Sequence, residues 1–305
     1  MSFQFSDLYF LLPELFLLVG VSIVLVLDLF VSHSRKDITY YLALLVLFIS
    51  AVLPFLCVPN TPTVLVSGLI VVDYLGAVLK TFICLLLIGG LFYAKAYLKD
   101  RALHHGEYYC LTLFAALGMM VMVSSNHFIS LYLGLELLSL SLYAMVALQR
   151  DSVMSSEAAI KYFILGAIAS GMLLYGMSMV YGATGGLEIG SVVETIAQGK
   201  TDTNLLRIGL VFIVVGIGFK LGVVPFHMWV PDVYQGAPTS VTTLIGTAPK
   251  VAAFGFVVRL LAEALGHVAL HQEWSQMLIL LAVASLSIGN IVAIVQTNFK
   301  RLLAY

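Results

Sequence analysis

Gly216-Ile-Gly-Phe-Lys220-Leu-Gly222-Val-Val-Pro225-Phe-His227-Met-Trp-Val-Pro231-Asp232 is the stretch on which the fold turns. A lysine sits inside an otherwise apolar span, and glycine and proline follow it. Proline removes a backbone donor and crowds the preceding turn, so a helix carrying this sequence breaks or kinks near Pro225. In hydrocarbon, freed backbone groups persist only where protein or water satisfies them. A charge in lipid is likewise costly and marks a functional site with a partner. A cation beside a broken helix at membrane depth is the pattern of an ion path.

The rest of the chain supports a membrane setting. Of 305 residues, 61% are hydrophobic and only 10% charged, and the mean hydropathy is +1.05. A soluble domain is usually about 25% charged. Apolar segments of about 20 residues indicate helices, since barrel strands are about 10 residues long with alternating polarity. The net charge of -1 and the lack of a Lys/Arg patch leave no case for nucleic acid. Cys57, Cys84 and Cys110 have no C-x-x-C spacing and suggest neither a metal site, an iron–sulfur cluster nor a disulfide framework. The start of the chain has no Lys or Arg before Tyr9 and no small-residue cleavage site, so the first span is expected to stay in the bilayer.

The pattern predicts an all-α polytopic bundle with spans near 9–31, 39–58, 74–94, 107–124, 127–148, 155–182, 205–230, 237–265 and 275–298. The longest loops run from Val58 to Asp73 and from Gly182 to Asn204. Alternate loops divide the basic residues unevenly. Arg35, Lys36, Lys95, Lys99, Arg101, Arg150, Lys300 and Arg301 fall on one side, and only Lys200 and Arg207 on the other. That bias places the first set in the cytoplasm and the N-terminus outside. The spans keep Lys80, Lys161, Lys220, Lys250 and Arg259.

Glu136, nine residues after His127, is expected roughly 14 Å into a core of about 30 Å, too deep to snorkel. Lys220 and Lys250 come out at similar depth by the same count. One acid and two bases at that depth can pair, and each alone would lose its charge or cost several kcal/mol. Pro249 deprives the Ile245 carbonyl of its usual donor, so the span carrying Lys250 should also be distorted. Thr243, Thr247 and Lys250 share one helix face, which could hold water. Lys161 lies nearer the surface, with Glu157 in the favourable i, i+4 order. Lys80 reads as an interfacial snorkeller, Asp28 as reaching the interface, and Arg259 as neutralised by Glu263 one turn on. His227 beside the break has the titration range of a proton relay. Gly216, Gly218 and Gly222 lie within an apolar span and are no nucleotide fingerprint. With no Walker motif, haem attachment site or hydrolase elbow, the chain is expected to bind no NADH, quinone, other cofactor or metal of its own.

Several blocks together resemble one family. They are Leu133-Gly-Leu-Glu-Leu-Leu-Ser-Leu, Glu157-Ala-Ala-Ile-Lys-Tyr, Gly218-Phe-Lys-Leu, Val224-Pro-Phe-His-Met-Trp-Val-Pro-Asp-Val-Tyr-Gln-Gly-Ala-Pro-Thr, Ala248-Pro-Lys-Val-Ala and Gln296-Thr-Asn-Phe-Lys-Arg-Leu-Leu-Ala-Tyr. They look like the antiporter-like membrane subunits of respiratory complex I, the proton-translocating NADH–quinone oxidoreductase. The resemblance implies three N-terminal helices over residues 1–106, a first five-helix repeat over 107–266, and the start of an inverted second repeat over 267–305. It assigns Glu136, Lys220 and Lys250 to the proton path, with Lys161 and His227 supporting. It implies a bacterial inner-membrane location, the other membrane-arm subunits as partners and no homo-oligomer. NADH and quinone would be used elsewhere in the complex.

Pro249 departs from the pattern, where a small polar residue is expected. The chain also ends at Tyr305 inside a family block, so it is expected to be a fragment, or the first part of a path completed elsewhere. A subunit of a cation/proton antiporter complex is the alternative from secondary transport, and a passive membrane scaffold the structural one.

Overall fold

The computed structural model describes residues 7–32, 35–199 and 201–305. A short helix, α1 (Asp7–Phe10), leads into α2 (Leu12–Phe30) and α3 (Asp37–Leu56). Strands β1 (Thr63–Leu65) and β2 (Ile70–Val72) follow, then α4 (Tyr74–Asp100), α5 (Gly106–Ser124), α6 (Phe128–Val146) and α7 (Val153–Thr184). Next come α8 (Ile189–Ala197), α9 (Thr203–Leu221), α10 (Trp229–Gly236), α11 (Thr239–Gly246) and α12 (Ala248–Val257), which continues as a π-helical turn over Val258–Ala264. The last elements are α13 (Val268–Ile294) and α14 (Phe299–Ala304). Among the described residues nine helical segments are long and apolar enough to cross a membrane, with α11, α12 and the π-turn forming one of them. This matches the expected number of spans.

Two departures concern the loops. The segment read as a loop from Val58 holds the antiparallel hairpin β1–β2, with Thr63 opposite Val72 and Leu65 opposite Ile70. Its β-branched residues favour strand over helix. Leu65 and Val72 bury against Leu11. Asn126 holds the turn by donating its backbone N–H to the Leu69 carbonyl at 2.9 Å and its side-chain amide to that of Gly68 at 3.1 Å. The second long loop contains the amphipathic helix α8, which buries Ile189, Val192 and Ile196.

The chain divides into two compact units, residues 1–149 with 238–255, and residues 150–237 with 256–305. In the first, α5 and α6 touch backbone to backbone. A Cβ on Gly134 would lie 2.8 Å from the Met122 nitrogen and 2.9 Å from the Gly118 carbonyl oxygen. In the second, Gly176 of α7 and Gly209 of α9 repeat the device, a Cβ on Gly176 falling 2.7 Å from the Gly209 carbonyl oxygen. Small residues at crossings are how helices associate closely in lipid, where no hydrophobic force draws them together.

Candidate functional site

The break expected from the opening stretch is present, and its freed polar groups are satisfied by protein. Helix α9 ends at Leu221, and Gly222 takes the left-handed conformation at φ 75°, where a Cβ would be strained. The N–H groups of Gly222 and Val223 both donate to the Gly218 carbonyl at 3.0 Å. The carbonyl of Phe219, in the last turn of α9, accepts from the Trp229 indole N–H at 3.0 Å. The Val224 N–H donates to Ser285 Oγ at 2.9 Å. Trp229 is itself fixed by stacking on Tyr162, ring centres 4.5 Å apart. Lys220 is half-buried in the last turn of α9, where the helix dipole favours a cation. His227 is half-buried between α9 and α10, its ring 5.6 Å from that of Tyr305. Its Nδ1 is buried without a hydrogen-bond partner among the described residues.

Lys161 is more than a surface lysine paired with its own helix. Its ammonium meets Glu157 Oε1 at 2.8 Å, as the i, i+4 spacing predicts, and also Asp232 Oδ2 at 2.8 Å. The other oxygen of Asp232 accepts from Arg301 Nη1 at 2.7 Å. Arg301 donates further to Gln235 Oε1 at 3.1 Å and Gln296 Oε1 at 3.2 Å. Lys300 caps α10 by donating to the Ala237 carbonyl at 2.6 Å. These groups surround a cavity of ≈ 160 Å³ lined by Glu157, Lys161, Asp232, Gln235 and Arg301. Burial pushes the Asp232 carboxyl up, but the hydrogen bonds and charges of Lys161 and Arg301 outweigh it and hold the group below the usual carboxylate range. Asp232 and Arg301 were missed as site residues by sequence reasoning. The available signal was Asp232 closing the proline-rich block, four residues from the next helix break.

In the other unit, Glu136 is the ninth residue of the 19 in α6 and is half-buried, so mid-helix depth holds. Span eight is interrupted where Pro249 predicts it. Helix α11 stops at Gly246, Thr247 leaves helical geometry at φ -116° and ψ -96°, and α12 restarts with half-buried Lys250 in its first turn. The Lys250 N–H bonds to the Thr247 carbonyl at 2.9 Å. The hydroxyls expected to line a hydrated face turn inward on their own helices. Thr243 donates to the Thr239 carbonyl at 3.0 Å, Thr247 to that of Thr243 at 2.9 Å, and Ser139 to that of Leu135 at 2.6 Å. Back-bonding of this kind competes with a polar lining and tends to bend the helix.

One expectation is overturned. Lys80 is no interfacial snorkeller: it is 2% exposed and forms an ion pair with Glu14, itself 7% exposed. A buried carboxylate 66 positions away in the chain supplies the counter-charge, which local depth counting cannot register. Asp28, near the end of α2, pairs with Lys36 at 2.9 Å, and Arg259 pairs with Glu263 at 2.7 Å, the second as expected. Lys200, one of the two basic residues of the sparser loop set, lies outside the described residues.

Nine long apolar helical segments among the described residues, two of them interrupted beside a lysine, define the class: a multi-pass helical membrane protein. A family profile described as "NADH:quinone oxidoreductase/Mrp antiporter, TM" matches residues 125–305. The chain belongs to that family. Among curated proteins, "NADH-quinone oxidoreductase subunit N" of Nitrosomonas europaea is 52% identical over all of this chain and 63% of its own length. The protein of the same name from Laribacter hongkongensis is also 52% identical, over all of this chain and 62% of its own. The chain thus spans about three-fifths of the length of these relatives. Among solved structures, a chain of respiratory complex I from Thermus thermophilus, solved with bound aureothin, superposes with a TM-score of 0.79 at 32% identity, covering 96% of this chain and 61% of that one. A chain of the Mrp complex from a Dietzia species gives 0.79 at 20% identity, over 96% and 55%, and shares the fold.

Proposed function

We propose that this chain is part of a membrane-arm subunit of a bacterial NADH–quinone oxidoreductase that translocates protons while other subunits carry electrons from NADH to quinone. The observation that carries the reading is the pair of interrupted spans, each with a lysine at the interruption: Lys220 at the end of α9 and Lys250 at the start of α12. Irregular backbone at membrane depth is tolerated where it lines a path, and many transporters place their ion sites there. In this reading Glu136, Lys220 and Lys250 exchange the protons, while Lys161 and His227 support them. Charge shifts arriving from the redox reaction change which of these groups is protonated, since an opposite charge within about 4–6 Å moves a pKa by 1–3 units. The partners are the neighbouring membrane-arm subunits and the lipid of the inner membrane. The chain holds no NADH, quinone or metal itself. The lysine- and arginine-rich loops face the cytoplasm and the N-terminus lies outside.

The family description also covers Mrp antiporters. The 52% relatives, all bearing the oxidoreductase name, favour the first reading. The decisive experiment places Glu136→Gln in the full-length protein within its assembled complex. Proton translocation should be lost while the complex still assembles. Unchanged translocation per electron pair would refute the role given to Glu136.

A further inference from the structure

Glu14, Lys80 and Ser124 form a closed site outside the stretch matched by the family profile, which begins at residue 125. Glu14 stands in the first turn of α2, Lys80 in the second turn of α4, and Ser124 ends α5. The hairpin covers them. Leu11 packs on Leu65 and Val72, and Ser125 bridges to Ile70. All three residues are buried, at 7%, 2% and 0% exposure. The Lys80 ammonium and the Ser124 hydroxyl both converge on Glu14 Oε1, the hydroxyl at 2.8 Å. Among the described residues, Glu14 Oε2 is buried with no hydrogen-bond partner.

That geometry suits two charge states. An ionised carboxylate accepts at both oxygens, and a bare buried oxygen is costly. The same oxygen is free to carry a proton. The hydroxyl can also serve either state. Ser124 Oγ lies 2.8 Å from Glu14 Oε1 and 2.7 Å from the Met120 carbonyl oxygen, and its single proton goes to one of them. Turned to Glu14 it stabilises the anion; turned to Met120 it offers the carboxyl a lone pair. Glu14 also lines a cavity of ≈ 230 Å³ with Leu18, Val121, Leu133, Gly134 and Leu137. Three of these, Leu133, Gly134 and Leu137, lie on α6 within three residues of Glu136. The other titratable groups near the pair, among the described residues, are Cys84, one turn after Lys80 on α4, Cys57, after α3, and Tyr9, whose hydroxyl donates to the Leu56 carbonyl at 2.8 Å.

We propose that Glu14 is a proton-exchanging carboxyl, with Lys80 and Ser124 as positioning residues that hold it in either charge state. In the step, one O–H bond of hydronium breaks, its proton forms an O–H bond on Glu14 and a water molecule leaves; Lys80 remains an ammonium. The use made of that proton rests on the translocation reading, whereas the exchange itself does not.

Infrared difference spectra of the full-length protein in its complex, taken between acid and alkaline solution, test it. The wild type should show a carboxylic-acid carbonyl band that Glu14→Gln lacks and Glu14→Asp retains at a shifted frequency. In Lys80→Met the band should persist to alkaline pH, because an unpaired buried carboxylate is unfavourable. If single variants fail to assemble, Glu14→Gln with Lys80→Met removes both charges together and supplies the same comparison. A Glu14→Gln difference spectrum identical to wild type means Glu14 does not change its protonation state, and the proposal is wrong. Glu136→Gln leaves this band in place, so the two readings fail separately.

Discussion

Lys80 and Lys161 are both lysines on long apolar helices facing a carboxylate from a distant part of the chain, and their surroundings are opposite. The Lys80 and Glu14 side chains are 3% and 9% exposed, and the pair has one further donor, Ser124. The Lys161 and Asp232 side chains are 44% and 30% exposed, and they share their charge with Glu157 and Arg301. The difference teaches where each unit stores its electrostatic risk. A closed pair cannot lose a member without stranding a charge. An open network redistributes, because solvent and spare partners take up the slack.

The largest effect should come from breaking the closed pair. Lys80→Met strands Glu14 and should cost about 3–5 kcal/mol of stability, read as a fall in Tm of the purified protein. Adding Glu14→Gln should restore most of it, since two neutral groups in a buried site are often no worse than the pair. A single variant as stable as wild type would show that the site is open after all.

A middle-sized effect belongs to Trp229, which is 2% exposed and anchors the helix carrying Asp232. Trp229→Phe keeps a ring for Tyr162 to stack on, removes the donor to the Phe219 carbonyl and leaves part of the indole volume unfilled. The Phe219 carbonyl keeps the Gly222 N–H at 3.1 Å, so the lost indole bond and the unfilled volume together should cost about 1–3 kcal/mol. If the change costs less than the loss of Asp232, the ion network rather than the indole holds α10, and the open cluster is stiffer than its exposure suggests.

The smallest effect is expected at Asp232→Asn, no more than about 1 kcal/mol after solvent screening, and weaker still in high salt. Its pH dependence has a definite sign. The Asp232 carboxyl is held below its ordinary value by Lys161 and Arg301 against the opposing effect of burial. The folded state therefore binds fewer protons than the unfolded one. The stabilisation is complete above the unfolded value of about 3.9 and is lost as pH falls through the lower folded value. The stability gap between wild type and Asp232→Asn should close over that acidic window. A gap that widened on acidification would contradict the arrangement.

Much of this was legible from residues alone. Gly222 and Pro225 announced the end of α9, and Pro249 announced the interruption before Lys250, because backbone donors and φ restrictions act within one turn. Glu136 fell at mid-helix by counting alone, since a membrane helix advances uniformly. Charge at i, i+4 likewise foretold Glu157–Lys161 and Arg259–Glu263. The misses were non-local. Lys80 was misread because its partner sits on another helix, and Asp232 was passed over because Lys161 and Arg301 answer it from other helices.

What the sequence determined by itself is therefore the number of crossings and the places where helices stop, both consequences of local sterics and of hydrocarbon's intolerance of bare polar groups. Only tertiary structure decided who answers the charges the helices carry. Asp232 meets Lys161 across 71 positions and Arg301 across 69, and Ser124 reaches Glu14 across 110. Such pairings depend on how close helices approach, which glycines such as Gly118 and Gly134 permit but whose partners no local pattern encodes.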